Sequence, residues 1–138
     1  MQKRRAIKPG AGFVIVKKVS GKWKYLGLKV NGYYDLPKGE AEKDDQGINF
    51  LTAQRECFEE CGILISEKNL KWGNSKIKLG ALTLLIAETD QDPIIRKNKK
   101  TGIYEHESAE WLDFEELEKN IYTFLLPGIK WARTIIKS

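Results

Sequence analysis

The segment "RECFEECGI", residues 55–63, places one arginine and three glutamates on a stretch predicted to be helical. At about 100° per residue, Glu56, Glu59 and Glu60 fall within an arc of about 100° on one side of that helix. Neighbouring carboxylates repel one another, so the arrangement favours a bound cation. Oxygen ligands suit the hard cations Mg²⁺ and Mn²⁺. The alternative is a solvated acidic face, because clusters of surface glutamates are common.

The predicted helix runs from about Ile48 to Cys61 and ends at Gly62, the usual residue for a left-handed cap. Its other side is apolar and is expected to pack on the core through Phe50, Leu51, Ala53, Cys57, Phe58 and Cys61. Two cysteines and a single histidine are too few for a zinc site or a disulfide framework. We therefore interpret both cysteines as small buried residues.

Two neighbouring motifs resemble the signature of the Nudix hydrolases, G-x5-E-x7-R-E-U-x-E-E-x-G-U, in which U is apolar. "YYDLPKGEAE" (33–42) is followed after a spacer by "AQRECFEECGI" (53–63). The second half of the signature is matched by Arg55, Glu56, Cys57, Glu59, Glu60, Gly62 and Ile63. An opening "GAGFVIV" and the downstream "YEHESAEWLDFEEL" (104–117) extend the resemblance over most of the chain. The "PKG" and "EH" elements are most similar to the diadenosine tetraphosphate hydrolase branch.

The first half of the signature is altered. Counted forward from Gly39, its first glutamate falls on Asp45, but counted back from Arg55 it falls on Gly47, because this loop is two residues longer than the pattern. In the family that glutamate chiefly braces the arginine. The candidates for the carboxylate that braces Arg55 here are therefore Asp44, Asp45 and Glu42.

The resemblance implies a metal site formed by Glu56, Glu59 and Glu60, with a main-chain carbonyl at the Lys38–Gly39 turn as a further ligand. It implies Mg²⁺ as the cofactor, with Mn²⁺ as a substitute. These residues would bring the ion to the phosphates of a substrate.

Hydrolysis also needs a base that takes a proton from the attacking water. Glu105 matches the downstream glutamate that some Nudix enzymes use as this base or as another metal ligand, and an ordinary loop glutamate is the alternative. By the same resemblance, Arg55 orients a carboxylate rather than touching the substrate. The predicted catalytic set is Glu59, Glu105 and Arg55.

The predicted substrate-binding residues are a lysine and two tyrosines. Lys38 matches a phosphate contact of the family, and Tyr34 and Tyr104 are candidates for stacking on a base, with packing as the alternative. His106 is either a neighbour of the site or a surface histidine. The basic run "RKNKK" (96–100) is either a solvated surface or a contact for an anionic substrate.

Strands are predicted over residues 10–19, 23–30, 76–89 and 108–114, and helices over 48–61, 115–120 and 126–138, with loop chemistry over 31–47 and 93–107. No regular βαβ repeat is present, which favours an α+β fold. The resemblance implies the Nudix fold, an α/β/α sandwich with a mixed sheet between helices. We expect one domain over residues 1–138.

The chain has 138 residues, 41% of them hydrophobic, and a net charge of +5. No run of about 18 apolar residues is present, and the basic opening "MQKRR" is not followed by an apolar segment, so neither a membrane span nor a signal peptide is predicted. We expect a cytoplasmic protein that acts on a small-molecule nucleotide and does not contact a membrane.

The predicted function is metal-dependent hydrolysis of a phosphoanhydride bond in a nucleoside diphosphate linked to another moiety. A dinucleoside polyphosphate such as diadenosine tetraphosphate is the leading substrate. The alternatives are the 5′ end of RNA and a diphosphoinositol polyphosphate. A Nudix-fold binding module without catalysis is the alternative from another functional class.

Overall fold

A computed structural model describes residues 8–137, so the basic opening "MQKRR" lies outside the described part. The strands in this range are β1 (Gly10–Val19), β2 (Lys22–Val30), β3 (Tyr33–Asp35), β4 (Lys38–Glu40), β5 (Lys76–Leu79), β6 (Leu82–Glu88) and β7 (Ser108–Leu112). The helices are α1 (Asn49–Cys61), α2 (Phe114–Asn120) and α3 (Leu126–Ile136). Short 3₁₀ helices cover Lys43–Asp45, Glu67–Asn69 and Thr123–Leu125. Among residues 8–137, none of the helices is long and apolar enough to cross a membrane.

The strands form one mixed sheet with the order β3-β2-β1-β6-β5. β1 and β6 run parallel, whereas the other pairs are antiparallel. β4 pairs with the first residues of β1, and β7 pairs with β2. The segment that leads into α1 is therefore attached to the start of β1 by a main-chain ladder.

The sheet has a hydrophobic core on each face, as the alternation of β1 shows. Ala11, Phe13 and Ile15 point into the core that contains the buried residues of α1, whereas Val14 and Val16 point into the core of α2 and α3. Helices thus cover both faces of a mixed sheet. The α/β/α sandwich predicted from the sequence is confirmed.

Three of the sequence predictions were wrong in detail. Residues 76–89 form a hairpin of β5 and β6 rather than one strand, because Gly80 adopts a left-handed conformation (φ 62°) between them. The predicted loop 31–47 contains β3, β4 and a 3₁₀ helix. The strand predicted over 108–114 stops at Leu112, since Phe114 is the first residue of α2.

Helix α1 carries the acidic residues, and its ends are close to those predicted. Ile48 is its N-cap residue, and Gly62 closes it in a left-handed conformation (φ 69°), donating its N–H to the carbonyl of Phe58 at 3.0 Å. Cys57 and Cys61 are buried as free thiols, as predicted. Phe58 does not pack in the core: it is 42% exposed.

Candidate active site

The structure answers which carboxylate braces Arg55. Nε and Nη2 of Arg55 donate to the two oxygens of Asp45 at 3.2 and 2.9 Å, so the pair is bidentate. The Asp45 carboxylate also accepts hydrogen bonds from the Thr52 hydroxyl and the main-chain N–H of Glu42, each at 2.8 Å. The Arg55 guanidinium is the main reason why the pKa of Asp45 lies far below its usual range. Asp45 is therefore ionised and buried at the base of α1.

The two extra residues of the loop lie after Asp45. Gln46 and Gly47 both adopt left-handed conformations, with φ of 57° and 72°, and they turn the chain from the 3₁₀ helix into α1. Counting forward from Gly39 therefore identifies the carboxylate that braces Arg55, which is that of Asp45. The other candidates differ: Glu42 makes a longer ion pair with Arg55 at 3.4 Å, and Asp44 is exposed.

Arg55 also fixes two of the glutamates. Its Nη1 donates to Glu56 at 2.9 Å and to Glu59 at 3.4 Å, and its Nη2 donates to the main-chain carbonyl of Glu40 at 2.9 Å. Glu60 lies on the same side of α1, where its carboxylate accepts the main-chain N–H of Lys38 at 3.3 Å. Glu56 and Glu60 thus lie against β4, and Glu59 lies beside them on the same side of α1.

The glutamates carry more negative charge than their surroundings compensate. Burial, followed by the charges of Glu56 and Asp35, raises the pKa of Glu60 to about 9. Burial also raises the pKa of Glu56, although the hydrogen bond from Arg55 opposes the shift. A carboxylate cluster of this kind is stabilised by a cation.

Gly39 allows β4 to lie directly against α1. A Cβ on Gly39 would overlap the carboxyl group of Glu56, so a larger residue there would push the Glu56 carboxylate out of its present position. This close approach places the main chain of the Lys38–Gly39 turn next to the acidic face, as the sequence resemblance implies for a carbonyl ligand.

The donor set fits Mg²⁺ or Mn²⁺, because it consists of carboxylates and main-chain carbonyls. Within residues 8–137, no three acidic, histidine or cysteine side chains already converge on one point. The hydrogen bonds from Arg55 hold Glu56 and Glu59 in part. Ions that keep several waters and bind through one or two carboxylates suit such an arrangement.

A cleft of about 660 Å³ opens over the acidic face. Its acidic side includes Glu56, Glu59 and Glu60, and Glu105 and Lys38 also line it. The basic residues around it are Lys8, Lys38, Arg96, Lys97, Lys99 and Lys100. Carboxylates and ammonium groups in one cleft are the arrangement that a metal-bound polyphosphate requires.

The basic loop is tied to the end of α1. The N–H groups of Ile94 and Arg96 donate to the last carbonyls of the helix, at Cys61 (2.9 Å) and Glu60 (3.2 Å). The Arg96 guanidinium lies 4.7 Å from the centre of the Phe58 ring and donates to the Phe58 carbonyl at 3.2 Å. The exposed position of Phe58 is explained by this contact. The loop that carries Glu105 is therefore attached to the helix that carries the glutamates.

His106 is a buried neighbour of the cleft rather than a surface histidine. It is only 7% exposed, and its Nε2 lies 3.1 Å from the carboxylate of Asp35, which is itself buried. The Lys38 ammonium lies 3.2 Å from the same carboxylate. Burial alone would raise the pKa of Asp35, but His106 and Lys38 outweigh it and the pKa lies below its ordinary value.

The two predicted stacking residues occupy different places. Tyr34 does not line the cleft: its ring packs against the core and its hydroxyl donates to Glu110 at 3.0 Å. This placement favours the packing interpretation of Tyr34. Tyr104 is 55% exposed and lines a second hollow of about 590 Å³, which shares Glu105 and His106 with the main cleft.

Sequence reasoning missed Asp35 and an aromatic stack. Tyr122 lines the main cleft, and its ring makes offset stacked pairs with Tyr33, at 5.9 Å between ring centres, and with Phe124, at 6.2 Å. The Lys38 ammonium lies 5.6 Å from the centre of the Phe124 ring. The segment "IYTFLLP" (121–127) could have indicated the stack, because its two aromatic residues are two positions apart in the sequence. Asp35 was within the quoted "YYDLPKG" motif but was given no role.

Comparisons with known proteins agree at the level of the fold. No protein-family model matches the sequence, and no curated protein matches it. Among solved structures, a C. elegans Ap4A hydrolase in a binary complex has a TM-score of 0.69 at 19% identity, covering 94% of this chain and 98% of that chain. The NUDIX domain of Shewanella oneidensis NrtR complexed with ADP ribose has a TM-score of 0.66 at 15% identity, with coverage of 97% and 91%. The Nudix hydrolase RenU of M. smegmatis has a TM-score of 0.65 at 12% identity, with coverage of 95% and 88%. The chain therefore has the fold of the Nudix hydrolases.

Proposed function

We propose that the chain is a metal-dependent pyrophosphohydrolase that cleaves a phosphoanhydride bond in a nucleoside diphosphate linked to another moiety. The observation that carries the proposal is the cleft in which Glu56, Glu59 and Glu60 meet the basic loop 96–100. When bound, Mg²⁺ or Mn²⁺ would neutralise phosphate charge and lower the pKa of a bound water. Glu56, Glu59, Glu60 and a main-chain carbonyl of the Lys38–Gly39 turn would hold the ion. That carbonyl would be the one of Lys38 rather than the predicted one of Gly39, because the Gly39 carbonyl is directed at β1 whereas the main chain of Lys38 faces Glu60.

The other side chains of the cleft have separate roles in the proposed reaction. Arg55, fixed by Asp45, keeps Glu56 and Glu59 in place. Glu105 lines the cleft from the loop side and accepts the proton of the attacking water. Lys38 binds the phosphates and so orients the scissile bond, and the lysines of the loop add a smaller contribution.

A dinucleoside polyphosphate such as diadenosine tetraphosphate is the proposed substrate. One of the proteins that share the fold is an Ap4A hydrolase. The aromatic stack at Tyr122 gives a base a stacking surface beside Lys38, and Tyr104 gives a second base one on the other side of His106. This nucleotide would be a small-molecule ligand of the main cleft.

The 5′ end of RNA is the second candidate substrate, and a specific observation favours it. Lys97, Lys99 and Lys100 all line the cleft beside Lys38 and Arg96. A single strand of RNA offers such an extended basic surface more phosphates than a dinucleotide does. A diphosphoinositol polyphosphate would use the same lysines but would leave Tyr122 without a base to contact.

A binding module that has lost catalysis is the remaining alternative. It drew support from the altered first half of the signature. Asp45 takes the place of the missing glutamate with two hydrogen bonds to Arg55, and this contact removes that support.

Product release with Mg²⁺ tests the proposal. Diadenosine tetraphosphate, ADP-ribose, a triphosphorylated RNA oligonucleotide and a diphosphoinositol polyphosphate are offered to the wild type and to Glu59→Gln. Glu67→Gln is the matched control, because Glu67 is an exposed glutamate that does not line the cleft. We expect release from at least one substrate, most rapidly from the dinucleotide, and at least about tenfold less with Glu59→Gln. No release from any substrate would refute the enzymatic function.

A further inference from the structure

One buried carboxylate holds two of the groups that line the cleft. Asp35, at the end of β3, accepts the main-chain N–H of Leu36 at 2.8 Å, contacts the Lys38 ammonium at 3.2 Å and lies 3.1 Å from Nε2 of His106. Neither Asp35 nor His106 takes part in the metal chemistry described above. Polar groups this buried are retained in a fold when hydrogen bonds satisfy them.

The contacts leave little freedom to either side chain. Lys38 lies between the Asp35 carboxylate and the ring of Phe124, while its main-chain N–H donates to Glu60. His106 is 7% exposed, and its ring has one nitrogen on Asp35. The other nitrogen, Nδ1, is then the one available to a ligand in the cleft, which His106 lines together with Lys38. Nδ1 donates to a phosphate oxygen once the ring has taken up a second proton from solvent, because only the imidazolium donates from both nitrogens.

We propose that Asp35 is a positioning residue, which fixes the Lys38 ammonium and the His106 imidazole so that both bind one phosphate of the substrate. The inference rests on the proposed function for the identity of that ligand. The physical reason is preorganisation: donors that are already oriented lose less conformational entropy when the phosphate arrives. A lysine on the surface would have to lose several rotamers first.

The arrangement also explains why a negative group is tolerated in a cleft for anions. Asp35 also lines the cleft, but its carboxylate contacts the Lys38 ammonium and Nε2 of His106, and these two groups offset its charge towards a phosphate. The Asp35 charge adds to the raised pKa of Glu60, which increases the demand for a cation at the acidic face.

The single histidine of the chain makes a direct test possible, because its imidazole nitrogen signals in NMR belong to His106 alone. In the metal-free wild type at a pH where the ring is neutral, long-range proton–nitrogen correlations are expected to show the proton on Nε2, with Nδ1 unprotonated. Asp35→Ala should abolish this preference and give a mixture of tautomers. If Asp35→Ala does not fold, Asp35→Ser replaces it, since its hydroxyl can still accept the N–H of Leu36. An identical tautomer distribution in wild type and variant overturns the proposal.

Steady-state kinetics are the second test of the positioning role of Asp35. Asp35→Asn is expected to lower kcat/KM for diadenosine tetraphosphate by about tenfold in the wild type, mainly through KM, but by less than about twofold when Lys38→Gln and His106→Gln are already present. Equal factors in both backgrounds would mean that Asp35 does not act through these two residues. Asp113→Asn is the control, because Asp113 pairs with Lys24 at 2.7 Å and does not line the cleft.

The NMR and kinetic tests can fail independently, so they distinguish failure of this inference from failure of the proposed function. Inorganic triphosphate with Mg²⁺ should shift the His106 signals in the wild type and much less in Asp35→Ala. If the signals behave in this way but no substrate is cleaved, the proposed hydrolysis is wrong and the positioning role stands. If substrate is cleaved but triphosphate leaves His106 unchanged, the positioning role is wrong and the hydrolase assignment stands.

Discussion

Asp45 and Arg55 form a two-pronged ion pair, with donor–acceptor distances of 3.2 and 2.9 Å, at the base of the helix that carries the acidic face. The side chain of Asp45 is 5% exposed and that of Arg55 is 21% exposed. Because Arg55 also bonds to Glu56 and Glu59, the pair links the preceding loop to two predicted metal ligands. A shorter carboxylate than the family's glutamate reaches the arginine because the 3₁₀ helix brings it close.

Asp45→Ala should therefore affect both stability and activity. Removing one partner of a largely buried ion pair costs about 3 kcal/mol, and Arg55 would no longer hold the glutamates in place. We expect the free energy of unfolding to fall by about that amount and kcat/KM to fall at least about tenfold. The control is Asp44→Ala at the exposed neighbouring position. If both variants behave alike in denaturant unfolding and in turnover, the brace is misassigned.

The loss of metal ligands gives a second prediction. Glu56→Gln and Glu60→Gln should each lower turnover at least about tenfold while the fold stays intact, because an amide is a weaker ligand than a carboxylate for a hard cation. Turnover is measured across a Mg²⁺ titration beside circular dichroism. Full activity of both variants near physiological Mg²⁺ would exclude the metal site.

The raised pKa of Glu60 predicts a pH dependence in the metal-free protein. The folded state keeps a proton up to about pH 9, whereas the unfolded chain releases it above its ordinary value of 4.5. Stability should therefore fall as the pH rises from 4.5 to 9, and Glu56 shifts in the same direction. Thermal unfolding in a chelator should show a flatter pH dependence for Glu60→Gln than for the wild type. A steeper or unchanged profile would contradict the assignment.

Much of the fold could be predicted because its signals are local. β1 matches its predicted range of residues 10–19, and α1 ends at the predicted Gly62. β3 and β4 could not be predicted, since three-residue strands exist only through their pairing with β2 and β1. The split of residues 76–89 depends on the conformation of Gly80, and its sequence allows a continuous strand as well.

The candidate site, too, could be predicted only where its signals are local. The acidic face follows from helical periodicity, so the glutamates were identified correctly as neighbours. The choice of Asp45 depends on two left-handed residues, Gln46 and Gly47, whose effect on the path of the loop cannot be read from spacing. The direction of Tyr34 depends on strand register, and a shift of one residue would reverse it. The contact of Asp35 with His106 joins residues 71 positions apart in the sequence.

The proposed base can be distinguished from its neighbour. Glu105 lines the main cleft, whereas Glu107 accepts the main-chain N–H of Asn31 at 2.8 Å and lines the second hollow only. Glu105→Gln should lower kcat about 10²-fold or more with little change in KM, and Glu107→Gln should change it less than about threefold. Steady-state rates on one substrate decide the matter. A larger effect of Glu107→Gln would mean that the loop glutamates have been assigned wrongly.

The last prediction concerns the choice between a dinucleotide and RNA. A diadenosine polyphosphate has two bases that need stacking surfaces, for which Tyr122 and Tyr104 are available, and its phosphates bind mainly at the metal and Lys38. Tyr122→Leu should then raise KM for diadenosine tetraphosphate more than Lys99→Gln with Lys100→Gln, which should raise it less than about threefold. Tyr34→Phe is the control, since that ring does not line the cleft.

RNA would reverse this order. Several phosphates would contact the basic loop at once, so the affinity should fall steeply with salt, with a slope of about −0.7 for each contact on a single strand. Neutralising Lys99 and Lys100 should then weaken binding and reduce the slope by about 1.4. The measurement is KM for both substrates at two salt concentrations. If the oligonucleotide is processed faster and the two lysines control its binding, the dinucleotide assignment fails, because the loop would then be the main contact for the substrate.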